Sequence, residues 1–291
     1  MRALLLHKLL PTIACGAVVG LGLGLLSACH QETRAPQDAR PPIAAQPATA
    51  PTWVPDAASV APPVEKNRAT GMAIDAQGIR LDNDARILVP LGAGPSFGAD
   101  AAYKRSGPND LYLVPLADAL KREVAAGRIS KPLRLVAAST TPYRALMEAL
   151  FTAGQCEIGS FELCEESCDK RKLSFEPPRA SQGHWDPSMP RKLNLVAIVV
   201  SDGVGLKASG GNLAPGCNDI GPGLTVPRVG AALDLASVAS CVAKLKGADP
   251  AYTSEDQATI VANPHTPLRE VMDVALTLRT QFPKIMFGVP R

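Results

Sequence analysis

Five consecutive residues, Gly94-Pro95-Ser96-Phe97-Gly98, carry the G-x-S-x-G spacing. In hydrolases that spacing puts a serine on a sharp strand-to-helix turn with its hydroxyl exposed for nucleophilic attack. RILVPL (Arg86 to Leu91) reads as the strand before it, and Asp219 and His265 follow in the order nucleophile, acid, base. Two features oppose this chemistry. Pro95 stiffens the turn where an elbow needs unusual backbone angles, and ADAAYKRSGPND (Ala99 to Asp110) breaks before it could form the long helix an elbow requires. A serine hydrolase using Ser96 therefore stands as the alternative reading rather than the leading one. Beyond His30 the histidines are His184 and His265, and His265, at a helix entrance, reads as a solvated turn residue. The stretch CEESC (Cys164 to Cys168) lacks the second ligand pair of a zinc site. No phosphate loop, zinc-type histidine pair or EF-hand spacing occurs. The expectation is a non-enzymatic protein without cofactor or metal.

The cysteine with the clearest chemistry stands near the N-terminus. Arg2 and Lys8 precede an apolar run from Leu9 to Leu26, which ends in Leu26-Ser27-Ala28-Cys29. A basic region, an apolar core and small residues form the pattern of an export signal. The terminal tetrapeptide resembles a bacterial lipobox, which implies cleavage before Cys29 and acylation there. Residues 1–29 are accordingly read as signal peptide and lipobox, with an uncleaved membrane helix as the alternative. His30 follows Cys29, and the absence of an aspartate there favours the outer over the inner membrane. Residues 30–66 are rich in Pro and Ala and form a linker. The formal net charge of +3, without a Lys/Arg stripe, argues against nucleic acid as partner. Aromatic residues, at 4%, are too few for a stacking platform.

The rest of the chain contains the same unit twice. An offset of 125 lays MAIDAQGIRL (Met72 to Leu81) over AIVVSDGVGL (Ala197 to Leu206), and Leu133–Gly154 over Ala258–Arg279. The second pair shares Val136/Val261, Ala137/Ala262, Thr141/Thr266, Pro142/Pro267, Arg144/Arg269, Met147/Met272 and Thr152/Thr277. Each copy reads as a hairpin, a helix, a short apolar strand, a second helix and a closing strand. Thr141 and Thr266 are expected to cap the second helices, with Pro142 and Pro267 at their first position. Tyr143, Leu146, Met147, Leu150 and Phe151, and their counterparts from Leu268 to Leu276, follow the spacing of one buried helix face. The predicted fold class is α+β. It consists of two tandem small mixed-sheet domains, each about β-β-α-β-α-β with helices on one face, at 67–165 and 191–291, joined by a connector at 166–190.

The repeat also sorts the cysteines. At the same offset Cys217 lies over Gly92 and Cys241 over Leu116, so both are absent together from the first copy. This points to a Cys217–Cys241 disulfide closing a loop of about 25 residues, which stabilises by roughly 3 kcal/mol. Cys156 and Cys164 bracket a strand and lie too far apart to bond each other, so Cys168 is the expected partner of one of them. Arg144 and Arg269 are candidate partner contacts, or else pair with Glu148 and Asp273 four residues on.

TIVANPHTPLREVMDVALTLRTQFPKIMFGV, and more loosely LRLVAASTTPYRALMEALFTAGQCEIGSFEL, resemble the periplasmic domain of the ExbD/TolR family. The resemblance implies an accessory subunit of a biopolymer-transport or proton-driven motor complex of ExbB/ExbD or Tol type, whose domains dimerise and contact envelope partners or peptidoglycan. Residues 1–31 contain no Asp or Glu, so the family's intramembrane carboxylate is missing and its proton role is not carried over. A solute-binding lipoprotein, with a ligand cleft between the copies, is a further alternative.

Overall fold

The computed structural model describes residues 69–92, 98–177 and 192–289. The signal peptide, Cys29, the linker, Ser96 and His184 lie outside the described residues. The described residues belong to one compact unit.

The first copy contains strands β1 (Met72–Ile74), β2 (Gly78–Leu81) and β3 (Val89–Pro90), helix α1 (Val114–Ala125), β4 (Leu133–Ala137), helix α2 (Tyr143–Gln155), β5 (Phe161–Glu165) and β6 (Lys172–Phe175). The second contains β7 (Val196–Val200), β8 (Gly203–Ala208), β9 (Gly211–Asn212), β10 (Val226–Pro227), α3 (Leu235–Gly247), the short α4 (Pro250–Thr253), β11 (Gln257–Ala262), α5 (Leu268–Arg279) and β12 (Lys284–Phe287). Each copy builds its own mixed sheet. The strand orders are β3-β2-β1-β4-β5-β6 and β10-β8-β7-β11-β12, with β9 paired to β8. β1, β4 and β5 run parallel, as do β7, β11 and β12. The α+β class with two sheet units is thus what the sequence predicts.

The register repeats as faithfully as the sequence. Ala73 faces Arg80 and Val136, and Ile198 faces Gly205 and Val261, each 125 residues on. Gly78 and Gly203 open the second strand of each hairpin at φ +153° and +148°. A β-carbon there would collide with β3 at the carbonyl of Val89, or with β10 at that of Val226, so only glycine fits both places.

Several elements lie outside the predicted β-β-α-β-α-β units. β3 and β10 add an antiparallel edge strand to each sheet. β6 lies inside the predicted connector, where Lys172 to Phe175 pair with β5. Helix α4, opened by Pro250 behind an Asp249 cap, is one the repeat does not predict. The gapless offset also conceals two compensating insertions. Val89 and Val226 stand 137 apart, twelve more than the offset, yet the buried stripe Leu113, Leu116, Ala117 returns to it at Val238, Cys241, Val242. Cys217 therefore lies in a loop between β8 and β10 that the first copy lacks, and its alignment with Gly92 is corrected. The matching extension of the first copy lies between β3 and α1.

The copies do not close separate interiors. Buried residues of both form one cluster, including Leu135, Leu146 and Phe161 from the first and Ile260, Met272 and Phe287 from the second. Phe175 packs on Phe161 at 5.3 Å and meets Phe287 edge-on at 4.8 Å, so the last strands of the two sheets share an aromatic contact. Such pairs contribute about 0.5–1.5 kcal/mol beyond area burial.

Candidate functional site: the junction between the copies

The repeated Thr-Pro turns meet each other. Pro142 and Pro267 form an antiparallel bridge, and four backbone hydrogen bonds surround it. The Tyr143 amide donates to the Thr266 carbonyl at 2.8 Å, and the Leu268 amide donates to the Thr141 carbonyl at 2.8 Å. The Arg144 amide donates to Pro264 at 2.8 Å, and that of Arg269 donates to Ser139 at 2.9 Å. Every bond has a partner bond shifted by 125 at both ends. This is the signature of an isologous contact, in which residue i touches j and j touches i.

Helix termini explain why the contact forms. The first amides of a helix have no partner within it, and a buried unsatisfied amide costs about 1–3 kcal/mol. The sequence expectation put that task on Thr141 and Thr266, and the structure corrects it. Pro142 and Pro267 themselves occupy the cap positions, in extended conformation and without side-chain caps, and the Thr141 hydroxyl is buried without a hydrogen-bond partner. The orphan amides of α2 and α5 are satisfied instead by carbonyls of the opposite copy. Each copy caps the other.

Side chains extend the junction asymmetrically. Tyr143 is fully buried and its hydroxyl lies 3.1 Å from the Ile260 carbonyl and 2.5 Å from that of Gly288, both in the second copy. Burial pushes its phenol well above the ordinary range, so it stays neutral. Its counterpart Leu268 is equally buried and purely apolar. On the other flank Arg171 bridges the copies, 2.6 Å from Asp273 on α5 and 2.8 Å from Glu165 on β5. The Glu165 contact lacks hydrogen-bond geometry, and burial raises the Glu165 carboxyl above the usual carboxylate range despite Arg171.

The two arginines singled out by the repeat diverge. Arg144 pairs with Glu148 at 2.7 Å, as the four-residue spacing predicts. It also donates to the carbonyls of Pro108 and Asn109. Its side chain is only 14% exposed, so it is spent inside the fold rather than offered to a partner. The fully buried Glu148 carboxylate further accepts from Lys104 at 2.7 Å and from the Ala99 amide at 2.8 Å. This cluster holds the first copy's long loop against α2. Arg269 does not pair with Asp273, which Arg171 has taken, and lies exposed beside the junction. Sequence offered no signal for Arg171 or Lys104, because their partners lie 102 and 44 residues away.

The cysteines fall into two bridges. Cys217 joins Cys241 with α-carbons 5.5 Å apart, pinning the inserted loop to α3, and Cys164 joins Cys168 at 4.8 Å. Cys156 is free and buried, and burial raises its thiol above the ordinary range. Glu162, Cys164 and Cys168 bring three ligand-type atoms together, but both sulfurs are consumed by their bond to each other. Asp219 lies in the exposed inserted loop and His265 in the exposed turn before α5. No helix among the described residues is long and apolar enough to cross a membrane. Disulfides are compatible with an oxidising, extracytoplasmic compartment.

Comparison of the chain with protein-family models, curated proteins and solved structures finds no match.

Proposed function

We propose that the chain is a non-enzymatic interaction module of the bacterial cell envelope, an ExbD/TolR-like pair of domains fused in one lipoprotein and serving a transport or motor complex. The observation that carries this reading is the reciprocal junction. The residues most clearly repeated, Thr-Pro with its flanking strand and helix, are spent on joining the copies rather than on chemistry. A fused pair reproduces within one chain the dimer that the family resemblance implies, and leaves sheet faces and the surface around Arg269 for partners. Lipidation at Cys29 would keep the module at a bilayer surface while the linker sets its reach, with the outer membrane favoured.

Two measurements test the reading together. Metabolic labelling with a palmitate analogue is expected to mark the intact protein and to fail on Cys29→Ser. Co-purification of the labelled lipoprotein from native membranes is expected to recover an envelope complex of ExbB/ExbD or Tol type, or peptidoglycan fragments. Recovery of an unlabelled, partner-free protein from the cytosol would end the proposal. So would reaction of Ser96 with a fluorophosphonate probe that is lost on Ser96→Ala.

A further inference from the structure

The turn between β5 and β6 carries a covalent bridge across its own first half. Cys164 on β5 is bonded to Cys168, and the chain returns as β6 with Lys172 opposite Cys164. The Glu165 amide donates to the Arg171 carbonyl at 3.0 Å, and that of Glu166 donates to the Ala137 carbonyl at 2.8 Å. Glu166 takes φ +60°, a left-handed backbone uncommon for any residue but glycine, so its surroundings impose it. Among the described residues the second copy has no strand corresponding to β6, and its sheet forms without one. The β5–β6 hairpin is an addition to the repeated unit rather than a requirement of it.

What the addition provides is a strap across the junction. Arg171 reaches Asp273 on α5 at 2.6 Å, and Arg279 of the same helix donates to the Lys172 carbonyl at 3.1 Å. Phe175 on β6 meets Phe287 of the second copy at 4.8 Å. Asp273 stands about one helical turn beyond Arg269, whose amide, like that of Leu268, finds its acceptor in the first copy. The strap thus holds the helix whose start closes the junction. Its disulfide is also the more accessible of the two. Cys168 is half-buried, whereas Cys164, Cys217 and Cys241 are all buried. Thiol–disulfide exchange requires a thiolate to reach a sulfur, and Cys168 is the sulfur a reductant meets first.

We propose that the Cys164–Cys168 bridge is a redox latch on the junction, closed when oxidised and released by a dithiol reductant. One reductant thiolate attacks Cys168 Sγ, the S–S bond breaks, and Cys164 leaves as a thiolate that takes a proton from solvent. The second reductant thiol attacks the reductant's own sulfur in the mixed disulfide and frees Cys168. Two electrons pass from the dithiol, which becomes a disulfide, to the protein, which gains two thiols. With the bridge open no covalent link fixes the turn at Glu166, Arg171 loses its set position, and the start of α5 is released. The latch is independent of the ExbD/TolR reading.

Hydrogen exchange of the purified full chain during stepwise addition of dithiothreitol tests the latch, with peptide mapping of thiols at each step. The reporters are the amides of Leu268 and Arg269, whose acceptors, the Thr141 and Ser139 carbonyls, belong to the first copy. Cys164–Cys168 is expected to open while Cys217–Cys241 stays intact. Exchange at both reporters should then rise about tenfold or more, with the amides of β7 and β11 unchanged. Cys168→Ser should show the raised rate without reductant. In Asp273→Ala/Arg279→Ala, which cuts the strap from the α5 side, exchange should already be fast and change less than about twofold on reduction. Reduction of Cys217–Cys241 first, or reporters that stay protected after Cys164–Cys168 opens, would overturn the proposal. So would a rise shared equally by β7 and β11, or one as large in the double variant as in the parent.

Discussion

Removing one oxygen atom from Tyr143 tests whether the two copies stand or fall as one body. The residue sits on α2 of the first copy, yet its hydroxyl reaches only carbonyls of the second, Ile260 at 3.1 Å and Gly288 at 2.5 Å. A hydroxyl has one proton, so it satisfies one acceptor fully at a time. Tyr143→Phe therefore deletes about one net hydrogen bond, near 1 kcal/mol, and leaves the part-buried Gly288 carbonyl without this donor while the Ile260 carbonyl keeps the Gly288 amide, for a total of roughly 1–2 kcal/mol. In a unit of this size each kcal/mol shifts Tm by about 2–4 °C. The variant should thus melt about 2–8 °C below the parent, in a single transition that moves as a whole when followed by circular dichroism during heating and during urea titration. Tyr143→Ala, which also empties a fully buried site, should cost about 3–5 kcal/mol. An unchanged Tm for Tyr143→Phe would refute the junction as drawn. Two separated transitions, only one of which shifts, would refute the shared interior.

Three further outcomes follow from the same structure. Cys217→Ser/Cys241→Ser should lower stability by about 3 kcal/mol, whereas opening the five-residue Cys164–Cys168 loop should cost less, and non-reducing peptide mapping checks both pairings. Glu148→Gln leaves Lys104, 3% exposed, without its counter-charge, and a loss of about 3–5 kcal/mol in urea denaturation is expected. Glu123, held by Arg128 with help from Thr70 and Asn83, titrates at about 2 in the fold, below its ordinary value of 4.5. Its contribution is therefore complete above pH 4.5 and is lost as pH falls toward 2. Because Arg128 is 48% exposed, solvent reduces this to about 1–2 kcal/mol. The Tm-against-pH curve of Glu123→Gln should accordingly be flatter than the parent's over that window.

Periodicity and the repeat made the local architecture legible. The strands β4 and β11, the helices that follow, the hairpins around Gly78 and Gly203 and the α3 start at Asp234 are all written in residue type and spacing. Asp234 caps Ser237 as its type requires, at 3.0 Å. The pairing of Cys217 with Cys241 was reachable because both residues are lacking in the first copy, even though the offset misplaced one of them. The Arg144–Glu148 pair was reachable because four residues on a helix bring side chains together.

Contacts between distant segments were not legible, and the reason is physical. A helix start states that its first amides need acceptors but not where they come from, and here they come from a turn 125 residues away. Thr141 looks like a cap by type, yet the opposite carbonyls reach the amides first and leave its hydroxyl unused. Sequence by itself determined that one sheet-and-helix unit was written twice, because repetition and periodicity are local properties of the chain. Only the tertiary structure decided that the two units finish each other's helices and share one interior, because that depends on which orphaned groups meet when the copies fold together.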